Sequence, residues 1–234
     1  MSGIAENLAR ARENIQRAAM AAGRDPEKVT LVAATKTQSD DTIRQAIAAG
    51  VTVCGENRVQ ELTAHLAANA YEGAAVHFIG HLQTNKVKYV VGHAALIHSV
   101  SSEKLLLAID KQAEKLGICQ GILLEVNLAG EESKSGFTPE EAAQLAAKME
   151  NYPHVRLHGL MAIPPVSEKP GDNCRYFAEM RNLFVDISAK KYDNVSMDCL
   201  SMGMSGDYPD AISEGATLVR VGTAIFGARN YNKV

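Results

Sequence analysis

The chain opens with a polar stretch in which Ile4, Leu8, Ala11, Ile15 and Ala18 recur every three or four residues. That spacing places apolar side chains on one helix face, and Gly23 supplies a stop, so a helix over about 3–23 is predicted. Beyond Pro26 the pattern changes to short apolar runs rich in β-branched residues, at 30–34, 51–54, 74–79, 96–100, 121–126, 155–163, 197–200 and 218–226. Stretches with helical periodicity follow the first seven, among them 40–49, 58–68, 102–116, 139–149 and 173–190.

Strands that are apolar throughout and alternate with helices belong to parallel sheet covered by helices. The runs begin near residues 30, 51, 74, 96, 120, 155, 197 and 218, mostly 21 to 24 residues apart. Eight such units predict an α/β fold, a single (β/α)8 TIM-type barrel with an additional N-terminal helix. One barrel domain is expected over 1–234, the barrel itself over about 30–228, with no Gly/Ser- or Pro-rich linker to divide it.

Composition mainly excludes. With 46% apolar and 22% charged residues the chain is globular in character. Its 24 Lys+Arg against 27 Asp+Glu give a net charge of −3, which argues against a sequence-independent nucleic-acid binder. No apolar run approaches the roughly 18 residues of a membrane span. The charged start (Glu6, Arg10, Arg12, Glu13) lacks the apolar core of a signal peptide, so a cytoplasmic protein is expected. Cys54, Cys119, Cys174 and Cys199 form no C-x-x-C pair, and three of the four lie among apolar strand-like neighbours, where a free cysteine behaves as a small buried hydrophobe. Gly80 separates His77 from His81, so a shared helical face and a zinc site are not expected.

In a barrel the chemistry gathers where strands end. Lys36 ends the apolar run of the first strand and is expected inside the barrel mouth, where desolvation disfavours its ammonium form. A neutral amine in a confined pocket is the group that condenses with an aldehyde; a lysine snorkelling to solvent is the plainer reading. After the seventh and eighth strands come Ser201, Gly203, Ser205 and Gly206, then Gly222 and Thr223. Barrels often hold a phosphate there, with backbone N–H groups and hydroxyls as donors, although an ordinary strand-to-helix turn has the same composition. An amine facing a phosphate cradle points to pyridoxal 5′-phosphate (PLP).

The residues at these strand ends carry a resemblance. Lys36, Gly55-Glu56-Asn57-Arg58-Val59-Gln60-Glu61, His77-Phe78-Ile79-Gly80-His81-Leu82-Gln83-Thr84-Asn85-Lys86 and Ser133-Lys134-Ser135-Gly136-Phe137 resemble the YggS/PROSC family of PLP homeostasis proteins. So do Gly159-Leu160-Met161-Ala162-Ile163, Leu200-Ser201-Met202-Gly203-Met204-Ser205 and Val219-Arg220-Val221-Gly222-Thr223-Ala224-Ile225-Phe226-Gly227, so that the match runs in order along nearly the whole chain. The resemblance implies a barrel like that of alanine racemases without their second β domain, for which eight units and a leading helix leave no residues here. It implies that Lys36 holds PLP as a Schiff base and that Ser201 binds the phosphate together with the backbone of Gly222 and Thr223. It further implies that Arg220 contacts the pyridine nitrogen and that Asn57 faces the site. Gly206 stands where the family's pattern carries an acidic residue, which leaves that loop its backbone contacts.

A cation at the pyridine nitrogen disfavours ring protonation and weakens the ring as an electron sink. No second base is evident. The expectation is therefore a monomeric, non-enzymatic PLP carrier with PLP-dependent enzymes as clients. A PLP-dependent amino-acid racemase of the alanine racemase type is the alternative, and a barrel binding another phosphorylated metabolite is the third reading. Lys134 is a second amine placed to guide PLP access or release, with a solvated loop charge as its plainer role; Lys86 and Lys104 are further amines. Met161, Met202 and Met204 are expected to pack within the barrel.

Overall fold

In the computed structural model, which describes residues 3–129, 135–165, 169 and 171–227, eight parallel strands follow one another around a ring. They are β1 (Thr30–Ala34), β2 (Val53–Glu56), β3 (Ala75–Phe78), β4 (Leu96–Val100), β5 (Gln120–Val126), β6 (Val155–Ala162), β7 (Val195–Met204) and β8 (Leu218–Val221). The first strand zips onto the last, from Thr30 beside Leu218 to Ala33 beside Val221, and closes the barrel. Because strand side chains alternate, one set faces the barrel interior, where Val32, Ala34, Ile79, Leu96, Leu123, Met161 and Leu218 pack as a cluster of their own. Gly55 belongs to this crowded layer: a Cβ there would lie 2.8 Å from both Val32 Cγ1 and Ile79 Cδ1.

The other set packs under the helices α1 (Ile4–Ala21), α2 (Asp40–Ala48), α3 (Val59–Ala67), α4 (Glu103–Leu116), α5 (Pro139–Ala146), α6 (Cys174–Lys190), α7 (Tyr208–Ser213) and α8 (Thr223–Phe226). The periodic residues Leu8, Ala11 and Ile15 of α1 are buried, α1 lies against α7 and α8, and Asn7 Nδ2 donates to the Ile225 carbonyl oxygen at 2.9 Å. Side chains fix the helix starts that follow strands at the mouth. Ser39 accepts the Thr42 N–H, Ser102 accepts the Leu105 N–H, and Thr138 and Glu141 form a reciprocal capping box.

Four expectations need correction. The strand β3 is followed by a 3-10 segment, Thr84–Tyr89, because residues 80–85 carry no apolar periodicity. The eighth strand stops at Val221; Gly222, with φ −117° and ψ −77°, leaves the extended region, and 223–226 coil into α8. The seventh strand is longer than 197–200 at both ends and irregular, with left-handed residues at Met197 and Gly203 and shifted register on both neighbours. Among the cysteines only Cys54 is buried; Cys119 lies exposed in the turn before β5 begins, and Cys174 and Cys199 are half-buried. Among the described residues no helix is long and apolar enough to cross a membrane.

Candidate functional site

The chain just past β1 carries the first half of the site. Thr35 is buried, its hydroxyl 3.2 Å from the Gly55 carbonyl oxygen and 3.3 Å from Glu56 Oε2. Lys36 follows, half-buried, at the barrel mouth. Thr37 then turns the chain with φ +64°, a left-handed conformation that costs an L-residue about 1–2 kcal/mol. Its N–H donates to Glu61 Oε2 at 2.8 Å, while Glu61 Oε1 pairs with Arg58 at 3.2 Å.

Glu56, at the end of β2, is fully buried. Its Oε1 accepts the Asn57 N–H at 2.8 Å and its Oε2 accepts the Tyr71 hydroxyl at 3.0 Å. Burial pushes the Glu56 carboxyl up, while the donors from Asn57 and Tyr71 oppose it. This carboxyl ties the ends of β1 and β2 together and sets Asn57 on the cavity wall. Gly80 makes room for it, since a Cβ there would lie 2.1 Å from the Asn57 carbonyl oxygen. Asn57 Oδ1 is buried and accepts no hydrogen bond from the described residues.

The second half comes from the last two strands. Ser205 Oγ accepts the N–H groups of Gly222 at 3.1 Å and Ala224 at 3.5 Å. Lys36, Asn57, Ser205, Arg220, Gly222 and Thr223 line one cavity of about 320 Å³, within the usual range for a small-molecule site. Arg220 is buried at its floor, with Nη1 donating to Ser201 Oγ at 2.5 Å and Nη2 to the Ala162 carbonyl oxygen at 2.9 Å. Burial pushes the guanidinium down to about 10, with Asp207 and Glu125 opposing, so it stays cationic at neutral pH.

Five of the six site residues expected from sequence thus share the cavity, and Ser201 does not. It is fully buried behind Arg220, and Ser205 stands at the wall instead. Side-chain contacts in the Gly206 loop come from the next residue. Asp207 accepts the Met204 N–H at 2.7 Å and Asn173 Nδ2–H at 2.9 Å. Lys134 lies outside the described residues; Lys86 sits near the Tyr89 ring and Lys104 is exposed on α4, and neither lines the cavity.

Sequence reading missed three interior groups. His98 on β4 meets Ser201 Oγ through Nδ1 at 2.9 Å and His77 Nδ1 through Nε2 at 3.0 Å. Glu125 on β5 has a buried Oε2 that accepts no hydrogen bond from the described residues, and burial pushes its carboxyl up to about 7 against the pull of Arg220 and Ser135. Each stands two residues from an inward apolar neighbour, His77 from Ile79, His98 from Leu96 and Glu125 from Leu123, and that phase is the signal that could have found them. A larger cleft of about 870 Å³ lies elsewhere, lined by Tyr71, His93, Cys119 and Gln120. The buried amide of Gln120 is already engaged by Gly92, Ala94 and Gly121, so the convergent polar groups are those of the mouth.

The fold and cavity define a (β/α)8 barrel with an amine from its first strand and a hydroxyl and N–H cradle from its last two at one mouth. Residues 7–230 match the family described as alanine racemase, N-terminal domain. The chain is 45% identical to the pyridoxal phosphate homeostasis protein of Aquifex aeolicus, over 97% of this chain and 98% of that one. It is 43% identical to the protein of the same name from Pseudomonas aeruginosa, over 99% and 98%. PipY of Synechococcus elongatus PCC7942, solved with PLP bound, superposes with a TM-score of 0.82 at 33% identity, covering 96% of this chain and 100% of that one. The chain belongs to the pyridoxal phosphate homeostasis (YggS/PROSC) family, within the wider family of alanine racemase N-terminal domains.

Proposed function

We propose that this protein binds PLP in the mouth cavity, covalently through Lys36, and serves PLP homeostasis inside the cell by holding and releasing it. The observation that carries the reading is the union of Lys36, Asn57, Ser205, Gly222 and Arg220 around one cavity of about 320 Å³. PLP brings an aldehyde that condenses with a primary amine and a phosphate that needs N–H and hydroxyl donors. The residues fit that chemistry. Asn57 presents a buried acceptor with no partner among the described residues, the kind of group a bound hydroxyl would satisfy. Ser205 and the backbone at Gly222 and Thr223 would hold the phosphate, and Lys36, next in the chain to the buried Thr35, would supply the amine.

Arg220 sets the limit on catalysis. A fixed guanidinium at the cavity floor disfavours protonation of a pyridine nitrogen beside it, and an unprotonated ring stabilises a substrate carbanion poorly. Among the described residues lining the cavity, Lys36 and Arg220 are the ionisable ones. The same reading makes PLP-dependent enzymes the recipients of the released cofactor, and treats the protein as a carrier rather than a racemase.

The test is borohydride fixation. Protein saturated with PLP and reduced is expected to gain one pyridoxyl phosphate in its intact mass, mapped to the Lys36 peptide, and Lys36→Ala is expected to gain none. No fixed adduct at saturation would overturn the PLP reading. Deuterium incorporation from solvent at Cα of amino acids, well above the rate with free PLP, would overturn the carrier reading in favour of a racemase.

A further inference from the structure

Four strands each send one polar side chain into the barrel interior below the cavity: His77 from β3, His98 from β4, Ser201 from β7 and Arg220 from β8. Their contacts leave one direction for the hydrogens. A guanidinium only donates, so Ser201 Oγ accepts from Arg220 Nη1 at 2.5 Å. The Ser201 hydrogen then points to His98 Nδ1 at 2.9 Å, its other hydrogen-bond partner among the described residues. With Nδ1 accepting, His98 carries its proton on Nε2 and donates to His77 Nδ1 at 3.0 Å.

This order requires two neutral imidazoles, and the surroundings supply them. Full burial, the neighbouring His77 and the Arg220 cation all push His98 well below its ordinary value, and burial pushes His77 down to about 4. Asp207 and Glu125 also act on Arg220 through their charge, whereas its hydrogen bonds among the described residues go to Ser201 and Ala162. Thus one edge of the guanidinium is aimed by a backbone carbonyl and the other by a hydroxyl whose orientation His98 sets.

We infer that His98 is a positioning residue for Arg220: acting through Ser201, with its tautomer set by His77, it aims the guanidinium at the cavity floor. Ser201 is then a support of the cation and takes no part in holding phosphate. The tautomer stands on the structure alone; the effect on ligand binding rests on the PLP reading above.

Two measurements separate the inference from that reading. Nitrogen-15 NMR of histidine-labelled protein without PLP is expected to show His98 as the neutral Nε2–H tautomer throughout pH 5 to 8. An Nδ1–H tautomer, or a titration inside that range, would overturn the inference whatever the protein binds. In PLP titrations, His98→Leu and Ser201→Ala are expected to weaken binding about tenfold, the loss of one charge-assisted hydrogen bond, and to shift the pH midpoint of the bound cofactor's absorbance. His98→Asn, whose Oδ1 replaces the Nδ1 acceptor, is expected to stay within about twofold of the parent. A folded His98→Leu protein with parental affinity and absorbance sinks the idea, and if that variant does not fold, Ser201→Ala decides by the same measures. Failure of the parent to bind PLP refutes the ligand reading and leaves the NMR result to decide the positioning.

Discussion

Glu61 accepts the Thr37 N–H at 2.8 Å and so clamps the left-handed turn that immediately follows Lys36. A strained conformation persists only where its surroundings over-determine it. Removing the clamp in Glu61→Ala is expected to cost about 1 kcal/mol in urea unfolding and to lower the yield of borohydride-fixed PLP. Glu61→Gln keeps an acceptor and is expected to retain most of both. Equal stability and yield in parent and alanine variant would refute the clamp.

Gly80 has a comparable hold on Asn57. A methyl group at residue 80 would meet the Asn57 carbonyl oxygen at 2.1 Å, and a backbone atom cannot swing aside as a side chain can. Gly80→Ala is expected to lose about 2–3 kcal/mol by calorimetry, the scale of a forced overpacking. PLP affinity is expected to fall with it as Asn57 leaves the wall.

The cradle at Ser205 separates phosphate recognition from recognition of the ring. Ser205→Ala removes the hydroxyl donor that the Gly222 and Ala224 N–H groups hold in place at the wall. Binding of PLP is expected to weaken about tenfold, while pyridoxal, which lacks the phosphate, is expected to bind the variant as it binds the parent. A parallel loss for both ligands in fluorescence titrations would place the phosphate elsewhere.

Glu125 and His77 drive stability in opposite directions with pH. Burial raises the Glu125 carboxyl from 4.5 to about 7, so the folded protein keeps a proton that the unfolded chain releases. Its contribution therefore falls as pH rises through that interval. Burial lowers His77 from 6.5 to about 4, so the unfolded chain takes up a proton that the folded protein refuses, and stability falls as pH drops from 6.5 towards 4. Glu125→Gln is expected to be more stable than the parent at pH 8, by about 1–3 kcal/mol, and to keep only the acid-side loss. Denaturant unfolding at pH 5, 6.5 and 8 checks this; identical profiles for parent and variant would refute it.

The barrel was legible because buried parallel strands read as unbroken apolar runs, and Lys36 was legible because a lone amine ends such a run. The assignment of Ser201 against Ser205 was not. β7 changes register between Ser201 and Met204, and Gly203 turns there with φ +88°, where a Cβ would lie 2.6 Å from the Ala211 Cβ. That irregularity sends one serine beneath Arg220 and the other to the cavity wall, and no spacing rule reveals it. His77, His98 and Glu125 were hidden for a related reason: a polar residue in an apolar strand acquires meaning only once its phase relative to the interior is known.

The pairing of β1 with β8 has a mechanical consequence. Lys36 and Gly222 stand near opposite ends of the sequence, just past the two strands that meet at the seam. A ligand gripped by both bridges that seam as a reversible staple and resists the parting of the first strand from the last. Anything that binds the closed ring and not the opened one adds to its stability in proportion to the logarithm of its concentration. On the PLP reading proposed above, loading and ring closure are therefore coupled, and the ring is expected to be hardest to unzip when the cavity is full.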